Sequence, residues 1–456
     1  MSAVVADSLL NKYDVPAPRY TSYPTVPYWE TAPSETQWLE RLQHALSASD
    51  GRAAAMYLHI PFCRALCSFC GCNTRITRSH DFVPLYIQAL LGELEVYLAR
   101  LARSQLEIGE LYVGGGTPTF LSTEELEGLL AGLFRHVRLR PDASATIEAD
   151  PRVTTRAQLQ LLVRHGIRGL SLGVQDFDPG VQQLVNRVQS EQQVREVTEA
   201  ARELGFASVS FDLIYGLPQQ SAESIRTTMA AVSRLRPDRI ALYGYAHVPW
   251  IKAGQRRFTE ADLPQAADRR ALHELARALL TQAGYREIGL NLFALPDDAL
   301  WQAQRRGTLH RNFMGYAPVA TRPLIGLGVS AIGDAVDALA QNDKDLQRYQ
   351  ERVMRAELPI QRGHLLDAED QVLRRHILRL TTHLETRWEA PAERTRWLEQ
   401  AVRRLAEPEA DGLVQLDAAG CRVTERGRPF LGNICMAFDA RLARRLPERS
   451  LFERPM

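Results

Sequence analysis

No run of 18 apolar residues occurs anywhere in the 456-residue chain, so no segment is fit to cross a bilayer as a helix. The N-terminus lacks the charged-then-apolar pattern of a secretory signal, and a cytoplasmic protein is expected. Charge of one sign is missing too. The 55 Lys and Arg against 54 Asp and Glu leave a net charge of +1. That is no footprint for nucleic acid and no global field for gathering an anionic substrate. Repeats, low-complexity tracts and the G-x-G-x-x-G fingerprint of dinucleotide sites are all absent. Cysteine is scarce, with six in the chain, and nothing reads as a disulfide-stapled secreted fold. Hydrophobic residues at 45% and charged residues at 24% describe an ordinary globular protein. The length implies one large barrel with a smaller domain.

Four of the six cysteines fall in one loop: Cys63, Cys67, Cys70 and Cys72. The first three have the spacing C-x3-C-x2-C. Three thiolates on a short loop can wrap one inorganic centre. A structural zinc needs a fourth ligand, and Cys72 could supply it. A [4Fe–4S] cube held by three thiolates keeps one iron open for a small molecule. On extended backbone Cys72 points away from Cys70, so it is taken as a neighbour of the cluster and not a ligand. Cys421 and Cys435 are expected to be buried thiols.

The loop follows a β-prone run, Tyr57-Leu58-His59-Ile60, ended by Pro61. Alternation of strand and helix then continues. Strands are expected at 111–113, 145–148, 170–174, 208–214 and 239–243, separated by amphipathic helical stretches beginning with 81–103. Six β-α units imply parallel strands with right-handed crossovers. They fall short of the eight that close a standard barrel. The fold class is therefore α/β, a partial (β/α)6 barrel open on one side. The three domains expected are an extended segment over 1–50, the barrel over 51–345 and a mainly helical unit over 346–456. In that last unit, helices near 366–383 and 392–406 and a hairpin about Asp417-Ala418-Ala419-Gly420 suggest a winged helix. Without basic charge, packing or substrate covering is the expected role. Glu148, Gln175, Asp212 and His247 recur at strand C-termini, the face where barrels place their sites. Gly114-Gly115-Gly116-Thr117 lets the backbone approach a ligand closely.

These motifs resemble the radical S-adenosylmethionine (SAM) enzymes. The longer string H-I-P-F-C-x3-C-x2-C-x-C-N is similar to the oxygen-independent coproporphyrinogen III oxidase family. So are R-Y-T-S-Y-P-T at 19–25, V-Q-D at 174–176, D-L-I-Y-G-L-P at 212–218 and N-I-C-M at 433–436. The resemblance implies that Cys63, Cys67 and Cys70 bind a [4Fe–4S] cluster. It assigns Tyr57, Gly115, Glu148 and Ile332 to a first SAM. Phe69, Gly116, Thr117, Gln175, Arg187, Asp212 and Ala246 fall to a second. The implied reaction splits SAM to a 5′-deoxyadenosyl radical, which takes hydrogen from propionate arms of a tetrapyrrole. Loss of CO2 then leaves vinyl groups. An electron donor such as flavodoxin or ferredoxin is implied, with no nucleic-acid or membrane partner, and a monomer is expected. Arg19 and Arg311 are candidates for the propionates, since the guanidinium fork suits carboxylates.

Two departures stand out. Where the family reads I-G-x-D-H-F-A, this chain has Asn291 and Leu292. Where the family reads N-F-Q-G-Y-T-T, it has Met314, Ala317 and Pro318. Polar positions have become apolar on the substrate side alone. A relative with an altered substrate, using the second SAM as a methylene source, is the alternative this raises. A haem chaperone is a further one, disfavoured by the R-Y-T-S-Y-P-T segment.

Overall fold

The computed structural model describes Leu9 and residues 12–48, 53–388 and 395–445. Its centre is β1, Ala54–Ile60, in which every residue is buried. A strand covered on both faces has no solvent side to show, so it is apolar along its length apart from His59. Beside it lie β2 (Leu106–Gly115), β3 (Val137–Ala149), β4 (Gly169–Gln175), β5 (Ser208–Tyr215) and β6 (Arg239–Gly244). Each pairs in parallel with its predecessor. After the first crossover helix, Val83–Arg100, which has no side-chain cap, four others start at capping boxes on Ser122, Thr155, Ser190 and Ser221, where a hydroxyl satisfies an orphan amide of the first turn.

The sheet does not stop at six strands. Leu324–Leu327 lies parallel to β1 on its free side. Antiparallel strands Ile332–Asp334, Ala338–Asn342 and Ile360–Leu365 continue outward. Leu292–Ala294 and Arg286–Ile288 extend the β6 edge, giving twelve strands. These additions run three to six residues each, too short for periodicity to reveal. Ile360–Leu365, beyond the boundary expected at 345, is the outermost strand of this same sheet.

The extended reading of 1–50 also needs correction. Glu35–Ser47 is a helix with a capping box on Ser34, and it buries Trp38 and Leu42 in the main core. The part that is extended, around 14–25, does not stand alone. Tyr13, Tyr20 and Tyr23 belong to a second core with Leu373, Ile377, Phe430 and Ile434. That core holds the C-terminal helices Ala368–His383 and Arg396–Arg404 against a three-stranded sheet of Glu385–Arg387, Gly420–Val423 and Val414–Asp417. Cys421 and Cys435 are buried there, as their isolation suggested. The start expected for the second helix, 392–394, lies outside the described residues. Among the described residues, no helix is long and apolar enough to cross a membrane.

Candidate functional site

The C-terminal ends of β1 to β6 open into one cavity of about 410 Å³. Cys63, Cys67, Cys70, Phe69, Gly115, Gly116, Thr117, Glu148, Gln175, Arg187 and Asp212 all line it. Tyr57, Ala246 and Ile332 do not. Tyr57 sits one turn of pleat deeper, stacked 6.3 Å from the Tyr112 ring. Ala246 offers its carbonyl to Gln255 Nε2, which also donates to Phe69 O. Ile332 packs with Trp29 and Leu339 on the added strands. His247 is set apart as well, its ring bonded to the Tyr245 hydroxyl.

Local bonds shape the cysteine loop. Phe62–Cys63 pairs in parallel with Arg75–Ile76, which draws both ends of the loop together. Cys70 N donates to Cys67 O at 3.1 Å, and Ser68 N to Val185 O at 2.9 Å. His59 Nε2 donates to Asn73 O at 2.9 Å, so its Nδ1 accepts from the Tyr57 hydroxyl at 3.0 Å. Burial favours this neutral ring and lowers the histidine to about 4. Cys72 departs from expectation. The chain turns instead of extending, and Cys72 lines the same cavity as Cys70.

Among the described residues, no three His, Cys, Asp or Glu converge tightly enough for a single metal ion. A four-iron cube sets its own looser demand, because each thiolate takes a different iron. The sulfur environment fits such a cube. Thr117 Oγ1 lies 3.3 Å from Cys63 Sγ, and Arg187 Nη1 donates to Cys67 Sγ at 3.5 Å. Hydrogen bonds to the sulfurs are among the groups that tune a cluster's potential.

The glycine turn has a steric cause. Gly115 has φ 119°, and a Cβ there would meet the His59 ring at 2.7 Å. At Gly116 a Cβ would strike the Pro61 carbonyl at 2.6 Å. Gln175, at φ 69°, holds a left-handed conformation that non-glycine residues seldom adopt, a feature common at functional sites.

Two half-buried carboxylates face the cavity. Glu148 accepts from Gly115 N at 3.0 Å and from the Tyr112 hydroxyl at 3.1 Å. Burial, and then the Asp212 charge, push it up to about 7. Burial likewise raises Asp212 to about 6, opposed by the Ser171 hydroxyl and Arg187. A cluster missed in the sequence adjoins them. Arg152 grips Asp150 through Nη2 at 2.6 Å, and Arg187 lies 3.3 Å from the same carboxylate. Burial pushes Asp150 up, but the two arginines outweigh it and hold it below the usual range. Its place after β3 was the available signal.

A second cavity of about 250 Å³ shares Asp212 and Tyr243 with the first. Arg19, Arg311, Asn291, Leu292, Phe313 and Met314 line it. Arg19 lies 4.9 Å over the Tyr243 ring and donates to Gly244 O. Arg311 lies 5.2 Å over the Tyr316 ring and donates to Tyr20 O. Glu110, also lining this cavity, accepts from Asn312 Nδ2 at 2.8 Å and Thr321 Oγ1 at 2.6 Å, and burial raises it to about 7.

A parallel half-barrel with a three-thiol loop at its mouth defines a class, and the model of the Radical SAM superfamily matches residues 57–232. The chain is 40% identical to oxygen-independent coproporphyrinogen III oxidase of Escherichia coli, covering 95% of each. It is 37% identical to the protein of that name from Synechocystis, covering 95% of this chain and 94% of the relative. The solved structure of coproporphyrinogen III oxidase from Escherichia coli, described as a radical SAM enzyme, superposes with a TM-score of 0.89 at 37% identity. That match covers 96% of this chain and 100% of the other. The chain belongs to the oxygen-independent coproporphyrinogen III oxidase family.

Proposed function

We propose that this protein converts coproporphyrinogen III to protoporphyrinogen IX by oxidative decarboxylation without oxygen, using a [4Fe–4S] cluster and two molecules of SAM. Cys63, Cys67 and Cys70 would hold the cluster. Tyr57, Gly115, Glu148 and Ile332 would contact the first SAM, and Phe69, Gly116, Thr117, Gln175, Arg187, Asp212 and Ala246 the second. Bound there, cluster and SAM together supply a carbon radical able to take a hydrogen atom. The residues of the chain do the rest. Glu148, fixed by Gly115 and Tyr112, keeps a carboxylate ready for an ammonium group. Arg19 and Arg311 would bind propionate carboxylates. The protein would work in the cytoplasm as a monomer, fed by an external one-electron donor.

The observation that carries this reading is the meeting of the two cavities at Asp212 and Tyr243. A propionate arm anchored by the arginines can reach from one into the other. The test is an anaerobic incubation with coproporphyrinogen III, SAM and reductant, followed by mass spectrometry. Loss of two CO2 units is expected. SAM cleavage with coproporphyrinogen unchanged would overturn the reading.

A second reading has its own observation: Asn291, Leu292 and Met314 all line the substrate-side cavity. An amide, an alkyl group and a thioether, none of them titratable, suit a relative acting on a different acceptor. Addition of a methylene unit to that acceptor would identify it.

A further inference from the structure

Parallel barrels usually fill their interior with layers of bulky branched side chains. This half-barrel does not. Glu110, Ser144, Thr146, Ser171 and Ser210, contributed by β2 to β5, all line the cavity of about 250 Å³ that meets the cluster-side cavity at Asp212 and Tyr243. Hydroxyls in a closed core cost free energy unless they are bonded. Ser171 donates to Asp212 Oδ2 at 3.2 Å and Ser210 to Leu170 O at 3.4 Å. The interior is hollow and polar where packing alone would have made it apolar.

Arg239 lies at the far end of this hollow. It opens β6, four residues before Tyr243, and both line the cavity. Four residues of extended strand span about 13 Å. Arg239 pairs in register with Ser210, and its guanidinium is held in one orientation. Its Nε donates to Asp298 Oδ2 at 2.7 Å. Asp298 is only 8% exposed and is itself fixed, its Oδ1 accepting from Leu300 N at 2.8 Å as the cap of helix Ala299–Arg306. Among the described residues that is the one hydrogen bond Arg239 makes. A guanidinium tied through Nε keeps its other edge, Nη1 and Nη2, which is the fork that takes a carboxylate bidentately. Glu110, raised to about 7 by burial, is half protonated at neutral pH and repels an incoming anion less than an ordinary acid.

We propose that Arg239 binds a carboxylate arm of the substrate that does not react, while another arm lies at Asp212 and Tyr243. The proposal rests on the functional reading above. An arm that loses CO2 must reach the cluster-side cavity, and the two cavities meet at Asp212 and Tyr243. An arm held about 13 Å deeper is out of reach of that junction. Arg239 thereby selects which arm faces the radical, a task separate from that of Arg19, which lies over Tyr243 itself.

The test measures binding first and turnover second. Coproporphyrin III, the stable oxidised form, is titrated into the cluster-loaded enzyme and followed by fluorescence, for wild type, Arg239→Gln and Arg239→Lys. Affinity should fall about tenfold in Arg239→Gln and by less in Arg239→Lys, which keeps the charge but loses the fork. In turnover, KM for coproporphyrinogen III should rise by about tenfold in Arg239→Gln, with kcat largely kept. Iron and sulfide content verifies the cluster, and Arg239→Lys still offers Asp298 a cation if Arg239→Gln folds poorly. A purely structural ion pair gives the opposite pattern, a lower melting temperature with affinity and KM unchanged, and that result would overturn the proposal. A fall in kcat at constant KM would overturn it too. Wild-type enzyme that cleaves SAM but leaves coproporphyrinogen III unchanged would sink the functional reading, and the porphyrin titration, which needs no turnover, would still decide the role of Arg239.

Discussion

The two cavities that meet at Asp212 are built to different rules. In the cavity beside the cysteine loop the polar groups brace one another: Glu148 with Gly115 and Tyr112, Cys67 with Arg187, Arg187 with Asp150. The substrate-side cavity keeps its two arginines and Tyr243 but mixes them with Leu292, Met314 and Phe313. The difference teaches where constraint lies. Generating a radical needs fixed donors around one centre, whereas holding a flexible, many-armed substrate needs a few anchors and shape.

The comparison can be broken at its strongest point with Cys67→Ala. Iron and sulfide content should collapse, and SAM cleavage with it, which anaerobic metal analysis and deoxyadenosine assay would read. Retained iron at wild-type stoichiometry would remove Cys67 from the ligands. Next in size is Arg311→Ala. Loss of a guanidinium–carboxylate contact should raise KM for coproporphyrinogen about 10- to 100-fold, with SAM cleavage preserved. If SAM cleavage falls equally, the two cavities are not separable. A smaller shift is expected from Asn291→Asp/Leu292→His/Met314→Gln, which restores the family pattern. kcat/KM for coproporphyrinogen should rise by about tenfold, within the range pocket contacts supply. Turnover arising only in this variant would assign the native chain another substrate.

The smallest effect concerns Glu110, which lines the substrate side and is raised from 4.5 to about 7 by burial. A folded-state pKa above the unfolded one means the native protein holds the proton more tightly. The resulting stability is complete below about pH 4.5 and is lost as pH rises through 7. Glu110→Gln should flatten that part of the thermal-melting profile while leaving SAM cleavage intact. An unchanged slope would show that Glu110 does not titrate there.

Much of this was legible because parallel barrels announce themselves. β1 is buried throughout and apolar but for His59, capping boxes open four of the crossover helices, and the cysteine spacing names its own chemistry. Glu148, Gln175 and Asp212 were findable because strand ends converge, and His247 was not separable from them by position alone. Cys72 misled because a side-chain direction was inferred from extended backbone, and the loop turns. The edge strands and the Glu35–Ser47 helix were lost for a different reason. Pairing with a distant edge or burying Trp38 against a remote core is decided by tertiary contact, and a local window does not see it. Asp150 and Arg152 carry no motif of their own, and only the approach of Arg187 makes them a group.

The N-terminal segment joins partners from opposite ends of the polypeptide. Tyr13 bonds Asp411, Tyr20 bonds Asp439, and Arg441 reaches Glu30. Closing loops of that length is among the last events in folding. During synthesis Tyr13, Tyr20 and Glu30 therefore meet these partners only after nearly all of the chain has left the ribosome. The wall beside Arg19 is completed from both ends of the polypeptide, so a chain truncated before Asp411 would leave that side of the interior without its outer brace.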